Sequence, residues 1–379
     1  MTATGPAGPL ERSRLEDTFV ALCEIESPSG NEAEAAGYVR AALEALGLAV
    51  DEDASGAETG ADCGNLYARV PGPEGARTVM LCAHVDTVPL ADRVEVELVD
   101  GTFRNRREAI LGADNKAAVA VLLEIARDCV AAPAAVGVEF VFTTCEEIGL
   151  RGAHAFEVGR LEAEFGYAFD HASPIGELIL AAPTYYRVVG EFLGRAAHSG
   201  IRPEDGRNAI AAAAQAINAM KLGRIDEETT ANVGVIEGGT ATNVVAERCR
   251  VEAEVRSLDD GKASEGTREM VDTLTWAASA TETDVDVTVE EQFRAYRIPP
   301  ADPVVTVAEA ALRDCVVEPV HKVTGGGSDA NAFAAKGFRC LNIANGTEAN
   351  HTPHERVSSW ALEKMLDVTR RLLVRAAEL

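Results

Sequence analysis

The sequence predicts an α/β protein whose larger domain contains a mostly parallel sheet flanked by helices and is interrupted by a smaller α+β domain. In the first half of the 379-residue chain, short β-branched runs alternate with helical patterns, which is typical of buried, largely parallel strands. Between residues 184 and 296 the order becomes strand–helix–strand–strand–helix–strand, the ferredoxin-like arrangement. Beyond Pro299 and Pro300 the α/β pattern resumes. We therefore expect residues 1–183 and 297–379 to form one domain and residues 184–296 to form the inserted one.

The elements of the larger domain follow from the period of the apolar residues. Two helical patterns open the chain, LERSRLEDTFVALCEI and NEAEAAGYVRAALEALG, and Gly47 ends the second. Strands are predicted at Asn65 to Val70, at TVMLCAHV and at VEFVFTT, with the helix KAAVAVLLEIARDCV between the last two. After the inserted domain come a helix, the glycine-rich segment TGGGSDANAF, the strand CLNIAN and a last helix from Ser359.

The inserted domain has its own complete set of elements. Its strands are YYRVVGEFLG, VGVIEGG, RCRVEAEVRSL and DVDVTVEEQF, and its helices are NAIAAAAQAINAM and EGTREMVDTLTWAASA. Such a set can bury its own apolar face, so we expect a compact unit.

Composition excludes several classes of function. The 35 Lys and Arg residues against 61 Asp and Glu give a net charge of −26, whereas binding nucleic acid requires clustered basic residues. No run approaches the ~20 apolar residues that span a bilayer, and the first residues lack the features of a secretory signal. The eight cysteines form no CxxC pair, which indicates reduced thiols. We expect a cytoplasmic protein that binds neither nucleic acid nor membrane.

Polar side chains follow the predicted strands where each strand ends. His84 and Asp86 project to the same side of one strand end, because alternate residues of a strand share a face. Asp114 stands between a glycine turn and a helix start, where a helix N-cap is the alternative interpretation. Glu146 and Glu147 follow a buried strand, where two adjacent acids would repel one another unless a positive charge lay nearby.

Two later segments repeat this pattern. Asp170 and His171 end another strand, and a loop after the strand CLNIAN carries His351 and His354. Carboxyl ends of strands are where open α/β sheets place their sites. We therefore expect five side chains at one sheet edge: His84, Asp114, Glu147, Asp170 and His351.

Imidazole and carboxylate ligands without thiolates suit zinc, with cobalt or manganese as alternatives. Three ligand carboxylates carry a total charge of −3, and two divalent ions carry +4. One bridging hydroxide then brings the net charge of the cluster to zero. Without cations, four acids in one cleft would be costly to bury. The sequence predicts a hydrolytic centre with two metal ions.

The chain resembles the dizinc metallopeptidase family that contains carboxypeptidase G, succinyl-diaminopimelate desuccinylase and the tripeptide aminopeptidase peptidase T. The resemblance covers nearly the whole chain through AHVDTVP, GADNKAA, TTCEEIG, AFDHASP, GRAAHSG, GTATNVV, GGGSDANAF and NHTPHE, in that order. The peptidase T-like branch is the most similar part of this family. The segments that indicate it are CEEIGLRGA, GGGSDANAF and the H-x-x-H-E ending. CEEIGLRGA is also similar to a second aminopeptidase family with a related core, but there the inserted domain follows the first metal motif, whereas here it follows Asp170.

The resemblance implies a zinc-exopeptidase-like catalytic domain and a role for each candidate residue. His84 and Asp170 would hold one zinc ion, Glu147 and His351 the other, and Asp114 would bridge them. The histidine ligand of the family lies four residues before a glutamate, which selects His351 over His354. Family members commonly have a cis peptide after the bridging aspartate, here Asp114–Asn115.

The resemblance implies other roles for two acids that lie close to these ligands in the sequence. Glu146 would be the general base that takes a proton from the attacking water and gives it to the leaving amine. Asp86 would orient the His84 ring through its other nitrogen.

The inserted domain is expected to act as a lid and to form a homodimer. The resemblance implies that His198 reaches a substrate carbonyl, often from the partner subunit, and that Asn243 makes a second polar contact. Arg256 could pair with a substrate carboxylate. From the residues alone, His198 could equally be a turn residue, and Arg256 could offset nearby acids.

The sequence thus predicts an aminopeptidase that cleaves short peptides, most specifically tripeptides. Another amide hydrolase of the same family is the first alternative: a carboxypeptidase, an N-acyl amino acid deacylase or a dipeptidase. A metal-binding interaction protein without catalysis is the second. A cysteine nucleophile at Cys145 is disfavoured because the adjacent carboxylates would raise the pKa of its thiol.

Overall fold

The computed structural model describes the backbone from Pro9, and the side chains from Arg14, to the end of the chain. Residues 1–8 lie outside the described residues. They are part of the segment in which the sequence predicts no secretory signal. Two compact units make up the described chain: residues up to Ala181 with Arg297–Leu379, and Ala182–Tyr296. None of the described helices combines the length and the apolar character that crossing a bilayer requires.

The elements alternate along the chain as the sequence predicts. The strands are β1 (Val50–Glu52), β2 (Leu66–Val70), β3 (Thr78–His84), β4 (Val96–Val99), β5 (Thr102–Asn105), β6 (Gly137–Thr143), β7 (Phe165–His171), β8 (Glu177–Ala182), β9 (Thr184–Leu193), β10 (Gly223–Arg224), β11 (Thr229–Gly238), β12 (Arg248–Ser257), β13 (Asp284–Phe293), β14 (Tyr296–Arg297), β15 (Val320–Val323), β16 (Cys340–Ala344), β17 (Thr347–Glu348) and β18 (Arg356–Ser358). The α-helices are α1 (Pro9–Cys23), α2 (Ala33–Glu44), α3 (Ser55–Thr59), α4 (Ala113–Ala131), α5 (Arg151–Ala155), α6 (Ala209–Ala219), α7 (Asp260–Ala280), α8 (Pro303–Asp314), α9 (Asp329–Ala335) and α10 (Ser359–Ala376). Short 3₁₀ turns lie at Val158–Arg160 and Pro203–Asp205.

The first unit is built on a mixed sheet whose centre is parallel. Its strand order is β1-β2-β6-β3-β7-β16-β8-β14, and β15 pairs with β8. Strand β3 runs parallel to β6 and to β7, and β16 runs parallel to β7. Every residue of β3 and β6 is buried, as expected for strands covered on both faces. This confirms the predicted α/β class with a mostly parallel sheet, and it brings the carboxyl ends of β3, β6 and β7 to one edge.

Shorter strands extend this unit in ways that the sequence did not predict. A four-stranded antiparallel sheet has the order β17-β18-β5-β4. Two to four residues per strand are too few for an apolar alternation to be recognised. This small sheet connects the region before α4 with the loop that carries His351.

The second unit is an antiparallel sheet with two helices. Its strand order is β10-β11-β12-β9-β13, so the four long strands have the order expected of a strand–helix–strand–strand–helix–strand chain of the ferredoxin type. Helices α6 and α7 pack against the sheet through an apolar core that includes Phe192, Ala212, Val251 and Leu274. The predicted ferredoxin-like unit is confirmed, with β10 as an additional short strand.

Candidate metal centre

The central parallel strands deliver the candidate side chains to one sheet edge. His84 is the last residue of β3 and lies opposite Thr143 of β6 in the parallel register. Glu146 and Glu147 follow β6 by three and four residues, and Asp170 lies near the end of β7. Because parallel strands end at a shared edge, residues far apart in the sequence meet there.

Asp114 lies between two imidazole rings. Its Oδ1 is 3.4 Å from His84 Nε2, and its Oδ2 is 3.4 Å from His351 Nε2. The backbone at Asp114 is not helical, with ψ of 104°, and the peptide bond to Asn115 is cis, as the resemblance implies. The alternative interpretation of Asp114 as a capping residue is not what the structure shows, since its two oxygens face separate histidines.

Two overlapping groups of donors share this aspartate. One ligand atom from each of His84, Asp114 and Asp170 lies within 4.8 Å of the others, and the same holds for Asp114, Glu147 and His351. His84 Nε2 is 3.3 Å from Asp170 Oδ1, and His351 Nε2 is 3.1 Å from Glu147 Oε1. All five side chains that the sequence places at one edge therefore come together.

Glu146 lies beside both groups and is almost fully buried, with 9% of its surface exposed. It forms a third close group with His84 and Glu147. Burial, followed by the charge of Asp170, raises the pKa of Glu146 well above its ordinary value, although His84 acts in the opposite direction.

Asp86 is fully buried and holds both the histidine and the acidic turn. His84 Nδ1 is 3.0 Å from the Asp86 backbone oxygen and 3.4 Å from its Oδ1. The Asp86 carboxylate accepts the backbone N–H groups of Glu146 and Glu147 at 3.0 and 3.1 Å, and the Ser29 hydroxyl at 2.7 Å. The predicted contact with the ring exists, and the carboxylate in addition fixes the turn that presents the two glutamates.

The charges of the centre are strongly coupled. Burial favours neutral His84, but the carboxylates of Asp170 and Asp114 outweigh burial and raise its pKa well above the ordinary value. Hydrogen bonds with Asp114 and Glu147 raise the pKa of His351 to about 10. Burial raises the pKa of Asp170 to about 7, although His84 lowers it. So many acids in a buried cleft call for positive charge beyond what two imidazoles supply.

Glu355 is a functional candidate that sequence reasoning used only as a marker for His351. Its carboxylate is buried and accepts the backbone N–H groups of Leu111 and Gly112, each at 2.7 Å, and of Asp114 at 2.9 Å. It thereby ties the loop after His351 to the segment that presents Asp114.

Other supporting residues make contacts that the sequence did not predict. The Asn342 side chain accepts the backbone N–H of Asp170 at 3.0 Å and donates to its backbone oxygen at 3.1 Å. Asn350 donates to Asp114 Oδ2 at 2.8 Å. Asp329, in the glycine-rich segment, is buried near Cys82 and Thr143. These contacts join residues more than 170 positions apart, so no local pattern indicates them.

The candidates from the inserted domain lie in the second unit. His198 is exposed, and its Nδ1 accepts the N–H of Gly200 at 3.2 Å. Asn243 is exposed, and its backbone oxygen accepts the N–H of Ser199 at 3.0 Å. The Arg256 guanidinium lies 4.1 Å from the centroid of the Tyr185 ring and bonds Glu254. The structure thus gives Arg256 an ion pair and a ring contact within its own unit.

The remaining candidates have other surroundings. His354 is exposed, His321 pairs with Glu309 at 2.7 Å, and His171 lies 3.9 Å from Glu177. All eight cysteines are free. Burial, together with Glu32, raises the pKa of Cys145 to about 12, which argues against a thiolate nucleophile.

Comparison with known proteins places this centre in a family. Residues 185–282 match the peptidase dimerisation domain of M20 peptidases, and residues 65–181 match peptidase family M28. YqjE of Bacillus subtilis, itself uncharacterised, is 34% identical over 97% of this chain and 100% of its own. Aminopeptidase PepT of Bacillus cereus is 35% identical, with a TM-score of 0.86 over 97% of this chain and 99% of that one. A tripeptidase from Staphylococcus aureus is 33% identical, with a TM-score of 0.91 over the same shares of 97% and 99%.

The chain belongs to the peptidase T-like M20 metallopeptidases. The match to family M28 covers the stretch that includes His84, Asp114, Glu147 and Asp170, in agreement with the similarity of CEEIGLRGA to a second aminopeptidase family. The dimerisation domain follows Asp170, as the sequence predicted for the M20 arrangement. M20 peptidases are metal-dependent, and the histidines and acids clustered at this sheet edge could meet that requirement.

Proposed function

We propose that this protein is a tripeptide aminopeptidase that uses two zinc ions, with cobalt or manganese as alternatives. The observation that carries the proposal is the Asp114 carboxylate, whose two oxygens face two different histidines at equal distances. A carboxylate placed in this way can bridge two cations. The PepT and tripeptidase relatives support the choice of short peptides as substrates.

The residues fit two divalent ions. Asp114 Oδ1 is buried and accepts no hydrogen bond within the described residues, and a cation would satisfy it. His84 and Asp170 would hold one ion, Glu147 and His351 the other, and Asp114 would belong to both. Imidazole nitrogens and carboxylate oxygens are the ligands that zinc takes in hydrolytic sites.

When bound, such ions polarise the scissile carbonyl and make a water molecule more acidic. Glu146 would take the proton from the attacking water and deliver it to the leaving amine. Asp86 would keep Glu146 and Glu147 in place through their backbone N–H groups. Every proton that the reaction needs to move would thus pass through one buried carboxylate.

The second unit would complete the enzyme. We propose that it forms a homodimer and that His198, Asn243 and Arg256 contact the peptide, with His198 stabilising the oxyanion. Val235 and Ile236, on β11, are 39% and 50% exposed. Beyond Ala231 the outer side of β11 pairs with no strand of the described chain, which leaves an edge for a second copy. The proposed cytoplasmic location is in keeping with free cysteines.

The test is a substrate panel given to the purified, zinc-loaded protein. Tripeptides, dipeptides and N-acyl amino acids are incubated in parallel, and released amino acids are identified by mass spectrometry. We expect the free amino-terminal residue and a dipeptide from each tripeptide, and little product from N-acyl amino acids. If only acyl groups are released, the protein is a deacylase and the proposal fails. If no substrate is cleaved while two metal ions are bound, the non-catalytic alternative gains support.

A further inference from the structure

A second group of possible metal ligands shares no residue with the proposed dinuclear centre. One ligand atom from each of Glu32, Asp62 and Cys63 lies within 4.8 Å of the others. Glu32 is the residue before α2, and Asp62 and Cys63 lie in the loop before β2. No function proposed above uses these three residues.

Glu32 supplies the observation that separates this group from an ordinary acidic cluster. It is fully buried, with 0% of its surface exposed. Its Oε1 accepts the N–H groups of Gly30 at 2.8 Å and of Cys145 at 3.0 Å, and the Cys145 thiol at 3.3 Å. Its Oε2 is buried and has no hydrogen-bond donor among the described residues. A buried carboxylate oxygen without a partner is costly, and a cation would satisfy it.

The two other members have the chemistry and the access that a metal ion needs. Asp62 is exposed and fixed by one oxygen, which accepts the N–H of Ala33 at 2.9 Å at the start of α2. Cys63 is partly exposed. Burial, and then the carboxylates of Glu32 and Asp62, raise the pKa of the Cys63 thiol to about 12. Without a cation nearby, the thiol therefore keeps its proton at neutral pH.

We propose that Glu32, Asp62 and Cys63 bind a third, single divalent ion of the zinc class. One thiolate with two carboxylates suits zinc, cobalt or cadmium better than magnesium or calcium, which prefer oxygen ligands alone. On binding, Cys63 Sγ releases its proton to solvent and donates an electron pair to the ion. Three protein ligands leave one position of a tetrahedral ion open to water.

The third site differs from the dinuclear centre in one property that can be measured. The candidate ligands of the dinuclear centre are imidazoles and carboxylates only, so a thiolate-to-metal absorption band cannot arise there. Failure of the third site and failure of the proposed enzyme function are therefore distinguishable in the same sample.

The experiment adds cadmium to the zinc-loaded protein and follows the ultraviolet thiolate-to-cadmium band. Bound zinc and cadmium are counted by elemental analysis after gel filtration, and tripeptide cleavage is measured on the same sample. We expect one cadmium per chain, a thiolate band and two zinc ions per chain that stay bound in the dinuclear centre, any zinc in the third site being displaced. Cys63→Ser should lose the cadmium and the band while keeping zinc and activity. Cys315→Ser is the matched control, because Cys315 is the other partly exposed cysteine, and it should behave like the unaltered protein.

Two further measurements keep the proposal falsifiable if Cys63→Ser folds poorly. Asp62→Asn retains an oxygen for the Ala33 N–H but removes the charge, and it should weaken cadmium binding. Cadmium should also protect Cys63 from iodoacetamide in the unaltered protein, as read by peptide mapping, while Cys315 stays reactive. A cadmium band that survives in Cys63→Ser, or alkylation of Cys63 at an unchanged rate, would overturn the proposal.

Discussion

At the scale of single residues, the two adjacent glutamates after β6 are predicted to differ in function. Glu147 Oε1 lies 3.1 Å from His351 Nε2. Glu146 is buried close to His84 but belongs to neither of the two groups that share Asp114. Glu146→Gln should keep both metal ions and lower kcat roughly 10²- to 10⁴-fold, because a carboxamide cannot act as a general base. Tripeptide cleavage and elemental analysis of the variant measure the two effects.

The matched control is Glu147→Gln, one residue further along. It replaces a proposed ligand with a weaker one, so it should lose metal as well as activity. Were Glu146→Gln to lose metal while Glu147→Gln kept it, the assigned functions of the two residues would have to be exchanged.

At the scale of elements, the Glu355 carboxylate joins the His351 loop to the segment before α4. Glu355→Ala leaves the N–H groups of Leu111, Gly112 and Asp114 without their acceptor. Each unsatisfied buried donor costs about 1–3 kcal/mol, so the free energy of unfolding should fall by at least that amount. Because Asp114 loses its support, metal affinity should fall as well. Urea denaturation and competition with a chelator test the two effects.

Glu348→Ala provides the comparison for Glu355→Ala. Glu348 lies in the same region but is exposed and pairs with the exposed Arg356 at the surface. Such a pair contributes about 0–1 kcal/mol, so this variant should remain stable and keep its metal. Equal behaviour of the two variants would show that Glu355 does not position Asp114.

The sequence predicts His84, Glu147 and Asp170 because they lie at or just after the ends of long, apolar strands. His84 is the last residue of β3 and Asp170 the last but one of β7, and the parallel register of these strands brings them together. Glu355 and Asn342 could not be predicted in the same way, because their partners are backbone groups distant in the sequence. The short strands β4, β5, β17 and β18 were missed for a related reason. They are held by pairing with one another rather than by an apolar period of their own.

At the scale of the whole molecule, the resemblance implies that His198 reaches the substrate, often from the partner subunit, and we predict that it acts on the partner's active site. His198→Ala and Glu146→Gln should each have low activity when alone, the first because it lacks an oxyanion donor and the second because it lacks the base. In a hybrid dimer, the subunit that retains Glu146 would receive His198 from its partner. Mixing equal amounts under conditions of subunit exchange should therefore restore about one quarter of the unaltered activity, since half the dimers are hybrid and each has one intact site.

The outcome distinguishes action between subunits from action within one chain. If His198 served the active site of its own chain, no hybrid would contain a complete site and mixing would restore nothing. Glu146→Gln mixed with Glu147→Gln is the control, because both defects lie in the metal centre of one chain and no exchange can repair them. Light scattering on the same samples measures the mass of the particle, and a monomer would rule out the proposed dimer together with any rescue. Recovery in the first mixture alone would show that two chains build each working site.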